Sequence, residues 1–319
     1  MNVQNVGGYR TGIDYLPAAG KNIFERENVN FNVEEAALEK GNEGAVKTAE
    51  QKTQDLKDAY AVMTSGVGAS KAASKNETIQ IWLNQLGFYS GKVDGNLYTT
   101  ASKKALKNFQ RVYGLAQTGQ ISNMVQDKLK AAISCYRTTA SKSDLGTITS
   151  MVSGHPDFKE TEVRDYFAKT WAFFRVGMGL SVYQASGVLG NIMAESGCIP
   201  DNAKDTGTNK KLHDKDYKYN VSDGRAYGLI QWKEKSRKNL LLTVSKEMGL
   251  NYSDLNAQFA TFRKETESAN FTKANWEMFK KYDTIDTCTS IFLQKIEMTD
   301  KVHYAERYAK AQKIYSTMK

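Results

Sequence analysis

Glu195 lies within the segment NIMAESG, residues 191–197, and it is the residue whose placement asks for a chemical explanation. The run before it carries Val182, Ala185, Val188, Leu189, Ile192 and Met193 at three- and four-residue spacing, one apolar stripe of a helix. Ser181 stands where an N-cap belongs, and Gly197 and Pro200 are stop signals, so the helix spans 181–195 and ends on the carboxylate. A helix C-terminus already carries partial negative charge, which disfavours an anion there. Apolar neighbours push the same way, so a raised pKa is expected. Such a glutamate either pairs with a cation or is kept protonated, in which case it is a proton donor. A polar interruption follows at 197–225, too long for a simple connection, with Asp201, Asp205, Asp214, Asp216 and Asp223 as further carboxylates. AYGLIQW, residues 226–232, closes it.

Other chemistries find less support. Cys135, Cys198 and Cys288 are odd in number and far apart, so neither a disulfide framework nor a CxxC metal site follows. His155, His213 and His303 form no HExxH and no two-histidine ligand pair, and no metal or cofactor is expected. His155, in SGHPDF, reads as a turn residue.

The elements that must position Glu195 are nearly all helical. Over residues 150–319 the spacing predicts helices at 160–176, 181–195, 233–248, 253–267, 271–282, 285–298 and 302–317. Residues 77–134 read as a separate small unit of three helices, ETIQIWLNQLGF, TTASKKALKNFQRVYG and NMVQDKLKAAI, joined by glycine-containing turns. Residues 1–76 carry too few apolar residues for a core of their own. They read as a partly disordered, partly helical assembly or tethering segment that ends in the linker SGVGASKAASKNE. The fold class expected is therefore mainly α, with three regions at 1–76, 77–134 and 150–319.

Within 77–134, the spacing of Val93-Asp94-Gly95, Phe109-Gln110, Gly114-Leu115 and Thr118-Gly119 resembles the peptidoglycan-binding type 1 module. Gly91, Gly95 and Gly119 read as turn glycines. The resemblance implies a wall-binding helper domain, with an exposed Tyr89 or Tyr98 as a platform for sugar.

GVLGNIMAESGCIP followed by GRAYGLIQWKEKSRKNLLL resembles the phage tail lysozyme family, within the lysozyme and lytic transglycosylase superfamily. TSIFLQKIE and HYAERYAKAQKIY look like its closing helices. The resemblance implies a glycosidase that cleaves the MurNAc–GlcNAc β-1,4 bond of peptidoglycan, with Glu195 as general acid. Protonation of the leaving oxygen needs an un-ionised carboxyl, which a solvated glutamate of pKa about 4.3 does not supply at neutral pH. Burial against apolar groups lifts such a carboxyl to about 6 in lysozyme itself. For the second carboxylate Asp223 is chosen, because goose-type lysozymes, which look similar here, place an aspartate near that point; Asp223 beside Gly224 is equally an ordinary turn residue. Goose-type enzymes also have an acid shortly after the glutamine, where Trp232 and Lys233 stand in this chain. Attack by the C6 hydroxyl of muramic acid, the lytic transglycosylase outcome, therefore stays open. Tyr227, Gly228 and Gln231 are expected to line the substrate cleft, and Trp232 is either core or a stacking platform.

Charge agrees with a polyanionic partner. Residues 1–70 hold 7 Lys and Arg against 10 Asp and Glu, so the other 249 residues carry +12 of a chain total of +9. No basic helix with interleaved aromatics points to nucleic acid. The first residues lack a basic start and apolar core, so no secretory signal is expected, and no stretch reaches a membrane span. The expected partner is bacterial peptidoglycan at the cell wall. Residues 1–76 would dock onto a phage tail or secretion device, and an endolysin, an autolysin or a catalytically silent wall-binding component are the competing readings.

Overall fold

The computed structural model describes residues 73–152, 159–203, 213, 217–269, 272–298 and 303–319. The expected tether at residues 1–72, the turn residue His155, and Asp205, Asp214 and Asp216 lie outside them. The described chain is mainly α, and it holds two isolated β-bridges but no extended strand. None of its helices is long and apolar enough to cross a membrane.

The first helix, α1 (Lys75–Gln85), starts inside the expected linker. Ser74 accepts from the Glu77 backbone N–H, and the Glu77 carboxylate accepts from the Ser74 N–H. This capping box satisfies two donors that a helix start leaves orphaned, so S-K-N-E opens a helix rather than ending a tether. Helices α2 (Thr100–Val112) and α3 (Asn123–Ala140) follow, capped by Thr99 and Ser122. Helix α3 runs past 134, and its extension packs against the second half of the chain.

Two buried glutamines hold the turns of this unit. Gln80 accepts from the N–H groups of Asp94 and Gly95 and donates to Asp94, Asn96 and Ser102. Gln110 accepts from Gly119 N–H and donates to Thr118 and to the Gln120 carbonyl. The residues that carry the sequence resemblance thus build the turns. Tyr89, one of the two expected platforms, is buried and its hydroxyl donates to the Lys92 carbonyl. Tyr98 is 80% exposed, with the Lys103 ammonium 5.9 Å from its ring centre.

The second half comprises α4 (Glu160–Ala172), α5 (Val182–Glu195), α6 (Lys235–Met248), α7 (Leu255–Glu267), α8 (Lys273–Phe279), α9 (Ile285–Ile291) and α10 (Tyr304–Met318). Every expected helix is present. Helices α4 and α9 each run on into a π turn, Phe173–Gly177 and Phe292–Ile296. The wider turn shifts the phase of the side chains. Phe173, Phe174 and Phe292 thereby join one aromatic cluster with Phe259, Phe262, Trp276 and Phe279.

Helix α5 is the axis of this half. It is not a half-exposed amphipathic helix, because every residue from Gln184 to Met193 is buried. Helices α9 and α10 approach it where two glycines leave room. A methyl group on Gly187 would lie 2.7 Å from Cys288 Cβ, and one on Gly190 2.6 Å from Ala311 Cβ.

The two halves are docked on one another. Arg263 of α7 donates to the carbonyls of Val112 and Gly177, Asn256 donates to the Leu86 carbonyl, and Asn108 of α2 donates to the Met248 carbonyl. Tyr113 packs against Gly177 at this seam.

Candidate active site

At its C-terminus α5 is turned sharply by Gly197 and Cys198, both in the left-handed region at φ 63° and 64°. Ser196 donates its hydroxyl to the Leu229 carbonyl at 2.7 Å, which ties the end of α5 to the AYGLIQW turn. Backbone bridges join Tyr227 to Ala203 and to Trp232. Gln258 of α7 fixes the same turn, donating to the carbonyls of Pro200 and Tyr252 and accepting from Leu229 N–H. Gly228 has φ 82°, and a Cβ there would meet the Gln258 amide at 2.8 Å. The close approach that requires this glycine is made by Gln258.

Glu195 has a side chain 12% exposed and is paired with Arg307 of α10, whose Nη2 donates to its Oε1. Of the two situations expected for this glutamate, the structure displays the cation pair. Arg307 also reaches Glu297, 3.0 Å from its Nη1, and the backbone and side-chain oxygens of Asn191, each at 3.3 Å. The side chains of Arg307 and Glu297 are 5% and 3% exposed. Sequence spacing could not bring Arg307 to Glu195, since 112 residues separate them. A signal was nonetheless present: Arg307 occupies the first place of the stripe Arg307, Ala311, Ile314 and Met318 on the buried face of α10. A cation in an apolar stripe needs a buried partner.

Asp223 belongs to a different cluster. Lys238, wholly buried, donates to its Oδ1 at 2.7 Å, Tyr217 donates to Oδ2 at 2.8 Å, and the Arg225 N–H donates to Oδ1. Burial raises the Asp223 carboxyl, but the hydrogen bonds from Lys238, Arg225 and Tyr217 outweigh it and hold the pKa below the ordinary value. This carboxylate clamps a lysine, and the Lys238 ammonium lies 5.5 and 5.2 Å from the ring centres of Tyr217 and Tyr219.

Tyr227 is 2% exposed and packs with Tyr217, Tyr219 and Tyr252. Its ring is part of the core beside the clamp, in contrast to the expected cleft-lining role. Trp232 is likewise core, its indole N–H donating to Glu265, which forms a buried two-point ion pair with Arg237. Gln231, half-buried at φ 54°, donates to the carbonyls of Gly228 and Asn202. Its side-chain oxygen is buried with no hydrogen-bond partner among the described residues. The described residues contain no cluster of three or more metal-ligating side chains.

Residues 166–318 match the family model of phage tail lysozyme, and residues 74–129 match that of the peptidoglycan binding domain. Glu195, Asp223, the AYGLIQW turn, Glu297 and Arg307 all fall within the first match. No curated protein and no solved structure matches the chain. The two matched domains are cell-wall domains, one lysozyme-like and the other directed at peptidoglycan.

Proposed function

We propose that this chain, which joins a domain of the phage tail lysozyme family to a peptidoglycan-binding domain, cleaves the MurNAc–GlcNAc β-1,4 bond of the wall with Glu195 as general acid. The observation that carries the reading is the position of Glu195. It is a largely buried carboxylate at the end of the central helix, one residue from the serine that ties α5 to the AYGLIQW turn. In the reaction its carboxyl proton passes to the glycosidic oxygen as that bond breaks, and the sugar left behind becomes oxocarbenium-like. Residues 1–76 would attach the enzyme to a phage tail or secretion device.

The oxocarbenium centre is then quenched by water or by the C6 hydroxyl of the same muramic acid. Both oxygens of Asp223 are occupied by donors, an arrangement that favours the C6 hydroxyl and the lytic transglycosylase outcome. The ion pair with Arg307 favours a different second reading, a wall-binding component without catalysis.

One experiment separates the three. Wild-type protein and Glu195→Gln are incubated with purified walls, wall binding is measured by co-sedimentation, and released muropeptides are identified by mass spectrometry. Glu195→Gln is expected to lose about 10²–10⁴-fold in cleavage while binding walls as before. Reducing ends would mark hydrolysis and 1,6-anhydro sugars the transglycosylase route. A wild type that binds and releases nothing would leave the silent wall-binding component.

A further inference from the structure

Between the two matched segments, 74–129 and 166–318, runs the C-terminal part of α3, and it forms one wall of a cavity of about 120 Å³. Ser134, Thr138 and Lys142 follow one another along this wall at four-residue spacing, Lys142 just beyond the end of the helix. Trp171 of α4, Arg175 of the π turn and Met318 of α10 close the opposite side.

The α3 wall is a set of donors. Ser134 and Thr138 bring hydroxyls and Lys142 an ammonium, which has no hydrogen-bond or ion-pair partner among the described residues. The Lys142 backbone is pinned, its N–H donating to the Thr139 carbonyl and its own carbonyl accepting from Arg164. Among the described residues no carboxylate lines the cavity. Cys135 does line it, but burial pushes its thiol up to about 12, so it stays neutral and does not repel an anion. The opposite side offers apolar surface, with Trp171 and Met318 both buried. Arg175 donates to the Leu180 carbonyl and holds its guanidinium 5.7 Å from the Trp171 ring centre. It stiffens that side, and recognition of an anion does not depend on its donors.

Size narrows the ligand. An apolar cavity of about 150 Å³ takes benzene, so this one has room for about six non-hydrogen atoms. Thr138 is exposed, which leaves the cavity open to solvent on the α3 side. We propose that the cavity binds the carboxylate end of a small organic acid or of a peptide. The carboxylate meets Lys142 and the hydroxyls of Ser134 and Thr138, and the carbon stem rests on Trp171 and Met318. Peptidoglycan bears short peptides that end in such a group, and a free hydroxy acid shares the same chemistry. A free amino acid fits less well, because its ammonium would stand beside that of Lys142. The assignment is independent of the role of Glu195.

The test titrates N-acetyl-D-alanine, its neutral amide, lactate and inorganic phosphate into the full chain. Binding is read by calorimetry and by the indole N–H resonance of Trp171. N-acetyl-D-alanine is expected to bind and to move that resonance, and its amide to bind at least about tenfold more weakly, since the bonds to a charged group are lost. Lys142→Met should weaken the acid by about tenfold and leave the amide unchanged. Tighter binding of N-acetyl-D-alanine than of lactate identifies a peptide end, and the reverse order a free organic acid; either sustains the carboxylate site. Equal binding of acid and amide, phosphate bound more tightly than both acids, an unmoved Trp171 resonance, or full affinity in Lys142→Met overturns it. Should Lys142→Met fail to fold, the comparison of acid with amide in the wild type decides alone.

Discussion

At the scale of single residues, Glu195 and Asp223 stand out from their neighbours along the chain, but the partner of each carboxylate is a cation on another helix, Arg307 of α10 and Lys238 of α6. His213 shows the same logic with the signs exchanged. Spacing assigns it no ligand partner, yet its Nδ1 lies 2.6 Å from Asp201 and its Nε2 3.2 Å from Glu162 of α4. The hydrogen bond from Asp201 and the charges of both carboxylates outweigh burial and raise its pKa above the ordinary value. A raised folded-state pKa means stability that is fully present below the unfolded value of about 6.5 and is lost as pH rises through the folded value. Thermal melts of wild type and His213→Gln at several pH values should therefore differ most below about pH 6 and converge under alkaline conditions. A difference that stays constant or grows with pH would mean that the charged pairing is not what holds His213. Arg307, Lys238 and Glu265 are illegible as site residues in the sequence for a common reason. Buried charges announce a need for a partner, while the partner's identity depends on which helices pack together.

At the scale of elements, legibility is high where periodicity decides and low where backbone geometry or side-chain capping does. All seven helices of the second half can be placed from their apolar spacing, but nothing in that spacing announces the phase shift that the π turns at Phe173–Gly177 and Phe292–Ile296 introduce. The capping box at Ser74 and Glu77 is readable as S-x-x-E, but the run of small residues around it reads more strongly as linker. The burial of α5 on all sides also has a sequence correlate, its two glycines. Gly190 admits the Arg307 carbonyl, which would lie 2.7 Å from an added Cβ, and it lets α10 come close enough for the Arg307 side chain to reach Glu195. Gly190→Ala overpacks that contact with backbone, which cannot swing aside as a flexible side chain does. Its melting temperature should drop by the equivalent of about 1–3 kcal/mol. Cleavage per folded molecule should fall as well, because displacement of α10 carries Arg307 with it. An alanine variant with unchanged stability would show that α5 and α10 do not approach this closely.

At the scale of the whole molecule, the sequence separates a wall-binding unit from a lysozyme-like unit, and the described structure joins them through a shared seam. A flexible tether would let the two engage the wall independently, with an effective concentration set by tether length. Docking fixes the direction from the peptidoglycan-binding unit to Glu195, so that, on the proposed reading, wall binding would present a defined stretch of glycan to this carboxylate. The seam combines hydrogen bonds with packing of Tyr113. Arg263 links the Val112 carbonyl to the Gly177 carbonyl, and Tyr113 lies against Gly177. Such a contact makes the unfolding of one half depend on the other, and a calorimetric scan of the wild type should show a single cooperative transition for both. Arg263→Ala removes the donor from two part-buried carbonyls, at a cost of at most about 1–3 kcal/mol each when water does not replace it. The scan should then broaden or split, with the smaller unit melting first because its core is smaller. Wall binding at low temperature should persist in this variant, whereas cleavage of intact walls should decline more than cleavage of short soluble glycan fragments, which need no alignment by the wall-binding unit. Two well-separated transitions already in the wild type would mean that the seam carries no coupling and that the two halves act as tethered bodies.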